Sequence, residues 1–454
     1  MSEAWLSAPI FMWAIGGLWD DLFTGINGSF YSSKNINIRD NAQWISLAKA
    51  LVKESGTTVV GKINQIIKIS TWYHIAVWAS AWIYTRSWTT WTKQTTSTSG
   101  DILSVCEFHG YVYWTTATKL HRIVIANVPT WATEVLDWNA LESAAYHPLM
   151  VSMWDMYIWN KWKLDKVNIS DVYEVLITLD SAATIKELND LGWSIRAVAI
   201  PAIGNSVVYL WDGTDNPPDQ SIPLTGYDIY KSIIFNGYNY LTSQDWLGIL
   251  DGYKVFPIKE ISWFNNNIGS LTVHKKKLYI GWTGWVYVFW QKNKNYPEVL
   301  NFELSTSNWV ATDIIGAVYS DWTDLFVAWS NVWGTTFWID KLSTSTYYTT
   351  GELVTRWYYG KSLGQIKEWV NILTGFKPII TGQTITLSYS LDGWTYTTIL
   401  AMTSASVLKA NFTEDMFISG SFQYIQFKIE LAWPWTSTPE FYTILMTFNN
   451  NLNR

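Results

Sequence analysis

Along this chain, short runs rich in Tyr, Val, Ile and Thr alternate with turn residues, and helical periodicity is nearly absent. Ile36 and Ile38 alternate with polar Asn35, Asn37 and Arg39, the pattern of a half-buried strand. Near the C-terminus Ile425, Phe427, Ile429 and Leu431 point one way, and Gln426, Lys428 and Glu430 the other. Ile385, Leu387 and Tyr389 alternate likewise with Thr384, Thr386 and Ser388. The one helical pattern is Ala182 to Leu191, around Ile185-Lys186-Glu187-Leu188, and it predicts a short inserted helix.

A short pattern recurs. Phe108-His109-Gly110-Tyr111-Val112-Tyr113 matches Phe235-Asn236-Gly237-Tyr238-Asn239-Tyr240. Leu278-Tyr279-Ile280-Gly281 is echoed by Met156-Tyr157-Ile158-Trp159, by Leu325-Phe326-Val327-Ala328-Trp329 and, more loosely, by Ile75-Ala76-Val77-Trp78 and Val208-Tyr209-Leu210-Trp211. Taking Ala76, Tyr113, Tyr157, Tyr209, Tyr240, Tyr279 and Phe326 as strand centres gives seven units, with a mean spacing of about 42 residues. That period suits the four-stranded blade of a β-propeller. The predicted fold is therefore all-β, a seven-bladed β-propeller followed by a C-terminal β-sandwich. Residues 1–60 form an opening segment whose strand helps close the ring, and residues 61–348 form the propeller. Residues 349–454 form the sandwich, reached through a Ser343-Thr344-Ser345-Thr346 linker.

Composition narrows the function classes. Apolar residues make 48% of the 454 positions and charged residues only 15%, which excludes disorder as the main state. The net charge is −6 and there are six arginines, so no basic stripe predicts a nucleic-acid partner. The single cysteine, Cys106, forms no intramolecular disulfide and reads as a small buried hydrophobe. No apolar run reaches the ~18–20 residues of a membrane-spanning helix. The apolar run Ala8 to Ile15 has no Lys or Arg before it, so no signal peptide is expected.

Tryptophan, at 32 residues against 27 glycines, is abnormally frequent. Trp72 precedes Tyr73 where Gly110 and Gly237 precede their tyrosines, Trp159 stands where Gly281 stands, and Trp322 and Trp394 lie in turns. Such positions often need a left-handed backbone or close approach, which glycine supplies. The sequence thus reads as one in which many Trp positions are glycines in the natural protein, through a genetic code that reads UGA as glycine. Trp91 is an exception that suits a strand. The competing reading is a genuine Trp-rich glycan binder with aromatic platforms.

Candidate chemistry is sparse. His74, His109, His121, His147 and His274 show no metal-ligand spacing. The Asp212-Gly213-Thr214-Asp215-Asn216 stretch reads as a turn, because a calcium loop starting there would place Pro223 where a bidentate Glu is needed. Ser390-Leu391-Asp392-Gly393-Trp394-Thr395-Tyr396 approaches the Asp-box of sialidase-type propellers, yet it occurs once and reads as a hairpin turn. Arg39, Arg86, Arg122, Arg196, Arg356 and Arg454 form no visible carboxylate-holding cluster. Asp20-Asp21 and the Asp321/Asp324 pair are the nearby carboxylates, and loop solvation accounts for them. The sequence therefore predicts no catalytic, cofactor-binding or metal site and no cofactor.

Four stretches carry a family resemblance. They are Ser29-Phe30-Tyr31-Ser32-Ser33-Lys34-Asn35-Ile36-Asn37-Ile38-Arg39, His147-Pro148-Leu149-Met150 to Tyr157-Ile158, Tyr209-Leu210-Trp211-Asp212-Gly213, and Phe427-Lys428-Ile429-Glu430-Leu431 with Thr438-Pro439. Together they resemble the β-propeller proteins of tailed-phage structural gene clusters and prophage-like regions. The resemblance implies a non-enzymatic structural or host-contact (adhesion) component of a phage or phage-derived particle. Its partners would be other virion proteins or a host-surface glycan or protein, and its location the particle. It transfers no catalytic residue. The alternative is a glycan-binding or glycan-cleaving propeller, with two carboxylates converging near the central channel. A bacterial surface interaction module is a third reading, one that needs an export route the N-terminus does not show.

Overall fold

The alternating patterns become strands throughout. A computed structural model describes residues 5–9, 30–38, 44–54, 59–71, 73–78, 82–94, 100–128, 136–152, 154–179, 183–190, 195–201, 205–212, 218, 220–224, 229–243, 246–251, 254–260, 270–291, 298–358, 366–403, 412–433 and 437–449. The described regular structure is β-strand apart from one 3-10 turn at Ile125–Asn127. The chain divides into two compact units, residues 52–285 with 306–341 and residues 1–51 with 286–305 and 342–454. This two-part division differs from the expected 1–60, 61–348 and 349–454, because N-terminal strands complete the sheets of the unit that also holds the C-terminus.

The first unit holds five successive four-stranded antiparallel meanders. They run from Ile63–Lys68 to Thr90–Gln94, Ser104–Phe108 to Leu136–Ala140, Leu149–Ser152 to Tyr173–Thr178, Ala183–Asp190 to Gln220–Pro223, and Ile229–Phe235 to Lys254–Glu260. Two further hairpins follow, opened by Leu271–His274 and by Ile314–Ser320. The opening strand of each group is labelled here β1 (Ile63–Lys68), β2 (Ser104–Phe108), β3 (Leu149–Ser152), β4 (Ala183–Asp190), β5 (Ile229–Phe235), β6 (Leu271–His274) and β7 (Ile314–Ser320). Each packs against the opening strand of the next group, and β7 packs back against β1. The all-β, propeller-like expectation therefore holds.

Two details of the reading are corrected. The expected helix is a strand over its described residues: β4 (Ala183–Asp190) carries a bulge, where Ile185 pairs with Ala199 and Glu187 with Val198. The extra residue, Lys186, lets both Ile185 and Leu188 face the core, and their spacing of three imitates a helical face. Tyr209 is not the counterpart of Tyr157 and Tyr240. It lies on the third strand of its meander, whose second strand is Ile195–Pro201.

The seam between β7 and β1 is the most heavily linked. Ile63, Ile66, Ala76, Tyr84 and Trp91 share one core with Ala317, Phe326, Ala328 and Ile339. The backbones approach so closely that a Cβ on Gly316 would lie 2.1 Å from the Ile63 carbonyl oxygen. Glu54 spans the seam. Its N–H donates to Ile339 O at 3.1 Å. Its carboxylate accepts Arg86 Nε and Nη2 at 2.7 and 2.6 Å and Trp91 Nε1 at 2.7 Å.

The second unit has two sheets around one apolar core. One orders strands Trp5–Pro9, Phe441–Asn449, Lys367–Phe376 and Phe412–Phe422, and the other Phe30–Lys34, Thr350–Thr355, Ile425–Ala432, Thr384–Leu391 and Thr397–Thr403. Ile372, Ile444 and Met446 meet Leu387, Phe427 and Ile429 in the shared core. Ile36 and Ile38, read above as part of ring closure, are buried in this core instead, and Ile36 pairs with Leu47. The residues just before β1 that reach the last group of the other unit include Glu54, as above, and Val59, which bridges to Phe337.

Removing the seam carboxylate strands a buried guanidinium, a change that costs about 3–5 kcal/mol. Glu54→Ala should lower the urea midpoint clearly, and Glu54→Ala with Arg86→Ala should recover part of the loss. A double-mutant cycle showing no coupling between the two positions would refute the clasp.

Candidate functional site

Four of the opening strands, β1, β4, β5 and β7, share an irregularity. Bulges fall at Ile63/Gln65, Ile185/Glu187, Ile229/Lys231 and Ile315/Ala317, each just after a buried isoleucine. A bulge re-aims the next side chain, so an Ile-x-polar triplet in three of these strands turns Gln65, Glu187 and Lys231 toward neighbouring strands. Gln65 Nε2 donates to Val105 O at 3.2 Å, and its Oε1 accepts from Val105 N at 3.0 Å and from Ser104 Oγ at 3.3 Å. Ser104 Oγ in turn accepts Leu149 N at 3.1 Å. Ser232 Oγ donates to Glu187 at 2.9 Å and accepts from Arg196 Nη2 at 2.8 Å and Asn189 Nδ2 at 2.9 Å. Lys231 Nζ pairs with Glu187 at 2.7 Å.

The opening strands enclose a cavity of about 230 Å³. Its polar lining includes Gln65, Tyr146, Lys186, Glu187, Lys231 and Thr272. Among the described lining residues the carboxylate is Glu187, so the converging carboxylate pair of a glycosidase is not assembled from them. Lys186 Nζ stands 5.6 Å from the Tyr146 ring centre.

A second polar cluster lies where β1, β6 and β7 end. Asp321 accepts His74 Nε2 at 3.0 Å and Lys68 Nζ at 3.3 Å. It also accepts Thr323 Oγ1 at 2.8 Å and Asp324 N at 2.7 Å. Burial opposes ionisation of Asp321, but these donors and cations hold its carboxyl well below the usual range. Burial lowers His74 to about 4, helped by the Arg86 charge. His274 is likewise lowered to about 4 by burial and by Lys275. Ser320 Oγ lies 2.8 Å from His274 Nδ1. The carboxylate, however, is hydrogen-bonded to His74, the other imidazole, so serine, histidine and aspartate do not form a relay. Asp321 is thus buried and paired, not loop-solvated as expected, while Asp324 pairs with Lys341 at 2.6 Å.

Other expected positions resolve as follows. His147 is buried between Trp159 O at 2.9 Å and Ala117 O at 3.1 Å, and His121 stacks on Trp114. Among the described residues no group of three His, Cys, Asp or Glu side chains could hold a metal ion. Cys106 packs in a cluster with Tyr113 and Met156, and burial pushes its thiol far up. Asp392 and Gly393 take left-handed φ values of 48° and 82° in a hairpin turn. Arg122 pairs with Asp171 at 3.1 Å, while Arg86 and Arg196 belong to the networks above. Asp20, Asp21, Arg39, Trp72, residues 213–216 and Arg454 lie outside the described residues. Glu54, Lys186 and Lys231 were not singled out from the sequence as site residues; the Ile-x-polar triplet at the bulges is the signal that could have found Lys231, together with Gln65 and Glu187.

Two groups of tryptophans stand out among the described residues. Trp91, Trp114, Trp159 and Trp282 are buried in strands. Trp159, expected at a glycine position, packs with Leu164 and Ile177 and donates to Lys161 O at 2.6 Å. Trp88, Trp154, Trp322, Trp333 and Trp394 are 77–92% exposed, and all lie in turns. Trp88, Trp309 and Trp322 hold left-handed φ values of 59°, 63° and 76°.

No protein-family model matches the chain, and no curated protein is similar to it in sequence. Solved structures are similar in fold. A streptogramin B lyase structure matches with a TM-score of 0.50 at 10% identity, over 64% of this chain and 97% of that one. The WD40 β-propeller domain of Doa1 matches at 0.47 and 9% identity, over 65% and 97%. The extracellular domain of a hybrid two-component system from B. thetaiotaomicron matches at 0.48 and 10% identity over 71% of this chain, which spans 43% of that chain. At such identities the likeness is one of fold, an all-β propeller type.

The lowered histidines set a pH window. With folded values near 4 against about 6.5 unfolded, the unfolded chain binds more protons between those limits. Stability contributed by neutral His74 and His274 is present above pH ~6.5 and falls as pH drops toward 4. Asp340, raised to about 6 by burial, acts in the opposite sense. NMR should therefore show the His74 and His274 ring signals titrating near pH 4; midpoints near 6.5 would refute the buried neutral assignment.

Proposed function

We propose that the chain is a non-enzymatic structural or host-contact component of a phage or phage-derived particle, built on a seven-bladed propeller and a C-terminal sandwich. The observation that carries the non-enzymatic part is how the reactive side chains are used. Gln65, Ser104, Glu187, Ser232, His74 and Asp321 all bond neighbouring strand groups to one another. Such bonding makes a rigid scaffold, and loops on rigid scaffolds carry contacts. The particle setting rests on the sequence resemblance at residues 29–39, 147–158, 209–213 and 427–439. The partners on this reading are other particle proteins or a host-surface glycan or protein.

The same proposal takes the turn tryptophans as glycines of the natural protein, read from UGA. The left-handed backbones of Trp88 and Trp322 support it, since a non-glycine residue there costs roughly 1–2 kcal/mol. Trp159 offers no such support. The competing reading, a glycan binder with aromatic platforms, draws on the same exposed indoles at Trp88, Trp154, Trp322 and Trp333.

Peptide mass spectrometry on particle and cell fractions separates the two. Peptides spanning Trp322 and Trp394 should carry glycine masses and be enriched with particles. Tryptophan masses confined to the cell fraction would end both the recoding and the particle assignment. In the recombinant chain, Trp322→Gly should stabilise by roughly 1–2 kcal/mol in denaturant unfolding. An unchanged or lowered midpoint would count against a glycine position there.

A further inference from the structure

We propose that the outer face of the five-stranded sheet in the second unit binds a neutral pyranose sugar, its hydroxyls received by the carboxylates of Glu352 and Glu430. This deepens the host-contact reading and rests on it for the source of the sugar, a host-surface glycan.

The argument begins with register. Leu353, Ile429 and Leu387 lie side by side on three strands of this sheet and fill the core. One residue along, the opposite face carries Lys34, Glu352, Glu430 and Thr386 in one row across four strands. Thr350, Ala432 and Thr384 form the next row. Glu352 therefore stands directly opposite Glu430, and like charges in that relation destabilise a sheet. Lys428 Nζ, 3.1 Å from Glu430 Oε1, and Lys34, beside Glu352 in the row, offset this only in part. Such a departure from what the fold alone favours gathers where another requirement acts.

Shape and polarity select the ligand. The two rows line a recess of about 350 Å³. That equals roughly twelve waters at ~30 Å³ each, the scale of one or two sugar rings. The carboxylates only accept hydrogen bonds, while the hydroxyls of Thr350, Thr384 and Thr386 donate and accept. A sugar hydroxyl answers both, and its bond to a carboxylate is of the strong, charge-assisted kind. Charges of both signs meet at the recess, so an ionic ligand of either sign would face a like charge, and a neutral one would not. Tyr396 adds an aromatic ring beside the carboxylates. Its hydroxyl donates to Gln426 Oε1 at 2.6 Å, and the Lys428 ammonium lies 5.3 Å from its ring centre. Burial, and then the Glu352 charge, push its phenol up to about 12. An aromatic ring there suits the C–H side of a pyranose.

Saturation-transfer NMR on the purified full chain tests the proposal with D-glucose, D-galactose, D-mannose and N-acetyl-D-glucosamine. D-galacturonate and calcium chloride serve as charged competitors. At least one neutral sugar should bind, with an affinity that does not change as salt rises. Glu352→Gln should weaken that sugar at least tenfold and leave the urea midpoint unchanged or raised, because it relieves the like-charge pair. Thr386→Val removes a hydroxyl from the row without touching charge; it should weaken binding severalfold, and it decides alone if Glu352→Gln fails to fold. Trp322→Gly should bind like the parent. Silence from all four sugars, displacement by calcium, tighter binding of galacturonate, or a Glu352→Gln protein that binds like the parent would overturn the site. Binding lost in Trp322→Gly but kept in Glu352→Gln would overturn it in favour of an aromatic platform. The particle assignment fails separately: sugar binding by a chain absent from particles removes the setting and leaves the site standing.

Discussion

A ring of strand groups is only as stable as its last junction, and here that junction turns on one buried carboxylate. Glu54 bonds the last group through its backbone N–H and the first through Arg86 and Trp91. Every other junction joins groups adjacent in sequence. This one joins residues separated by most of the unit, so it carries the largest loop-closure cost. Apolar contact alone, as between Ile66 and Ala328 in the seam core, does not distinguish β7 from other apolar strands. The bidentate guanidinium and the indole N–H fix Glu54 on the first group, because a buried carboxylate is tolerated only where its oxygens are met, and from there its N–H reaches the Ile339 carbonyl of the last group. The neighbouring Lys68, His74 and Asp321 contacts repeat this logic at the end of the same seam.

The polar bonds between the other strand groups have a related effect. Each opening strand is short, and a slip of one residue would exchange its faces. Gln65 reads Val105 through both its amide groups, and Ser232 gathers Glu187, Asn189 and Arg196 around one hydroxyl. These contacts are satisfied only in one register. The bulges matter for the same reason, since they set which residue after the isoleucine reaches sideways.

What could be read from the sequence follows from which constraints are periodic. The aromatic-rich second strands repeat because they all face the same packing problem, so Tyr113, Tyr157, Tyr240 and Tyr279 were legible. The fourth group was misplaced because its second strand, Ile195–Pro201, is aliphatic and the tyrosine sits one strand later. The bulge at Lys186 erased the alternation of β4 and produced a helical spacing. The same event hid the cavity, since Lys186 and Glu187 fell inside the imagined helix. Glu54 was illegible for a different reason: it precedes the first repeat, and its partners are 32 and 37 residues away. The strands of the two-sheet unit were legible because one buried face forces a strict alternation at Ile425, Phe427, Ile429 and Leu431.

The turns expose the one level at which this sequence contradicts its own fold. The hairpins at His109-Gly110, Asn236-Gly237 and Asp392-Gly393 all use left-handed backbone, with the glycine second. Lys275 and Lys276 do the same without glycine, so the fold tolerates some strain there. Trp322, like Trp88, differs in kind. It places the bulkiest side chain in left-handed backbone, projects it into solvent, and leaves the turn held by Asp321, Thr323 and Asp324 instead. Sequences that specify a fold agree with it at every level, and departures gather where another requirement acts. A ligand platform is one such requirement, but it needs exposed indoles grouped around one surface. Among the described residues the most exposed tryptophans, Trp88, Trp154, Trp322, Trp333 and Trp394, all lie in turns. Of these five, Trp88 and Trp322 hold left-handed backbone, the conformation in which a glycine costs nothing and an indole is strained, and it is on these two turns that the proposed glycine reading rests.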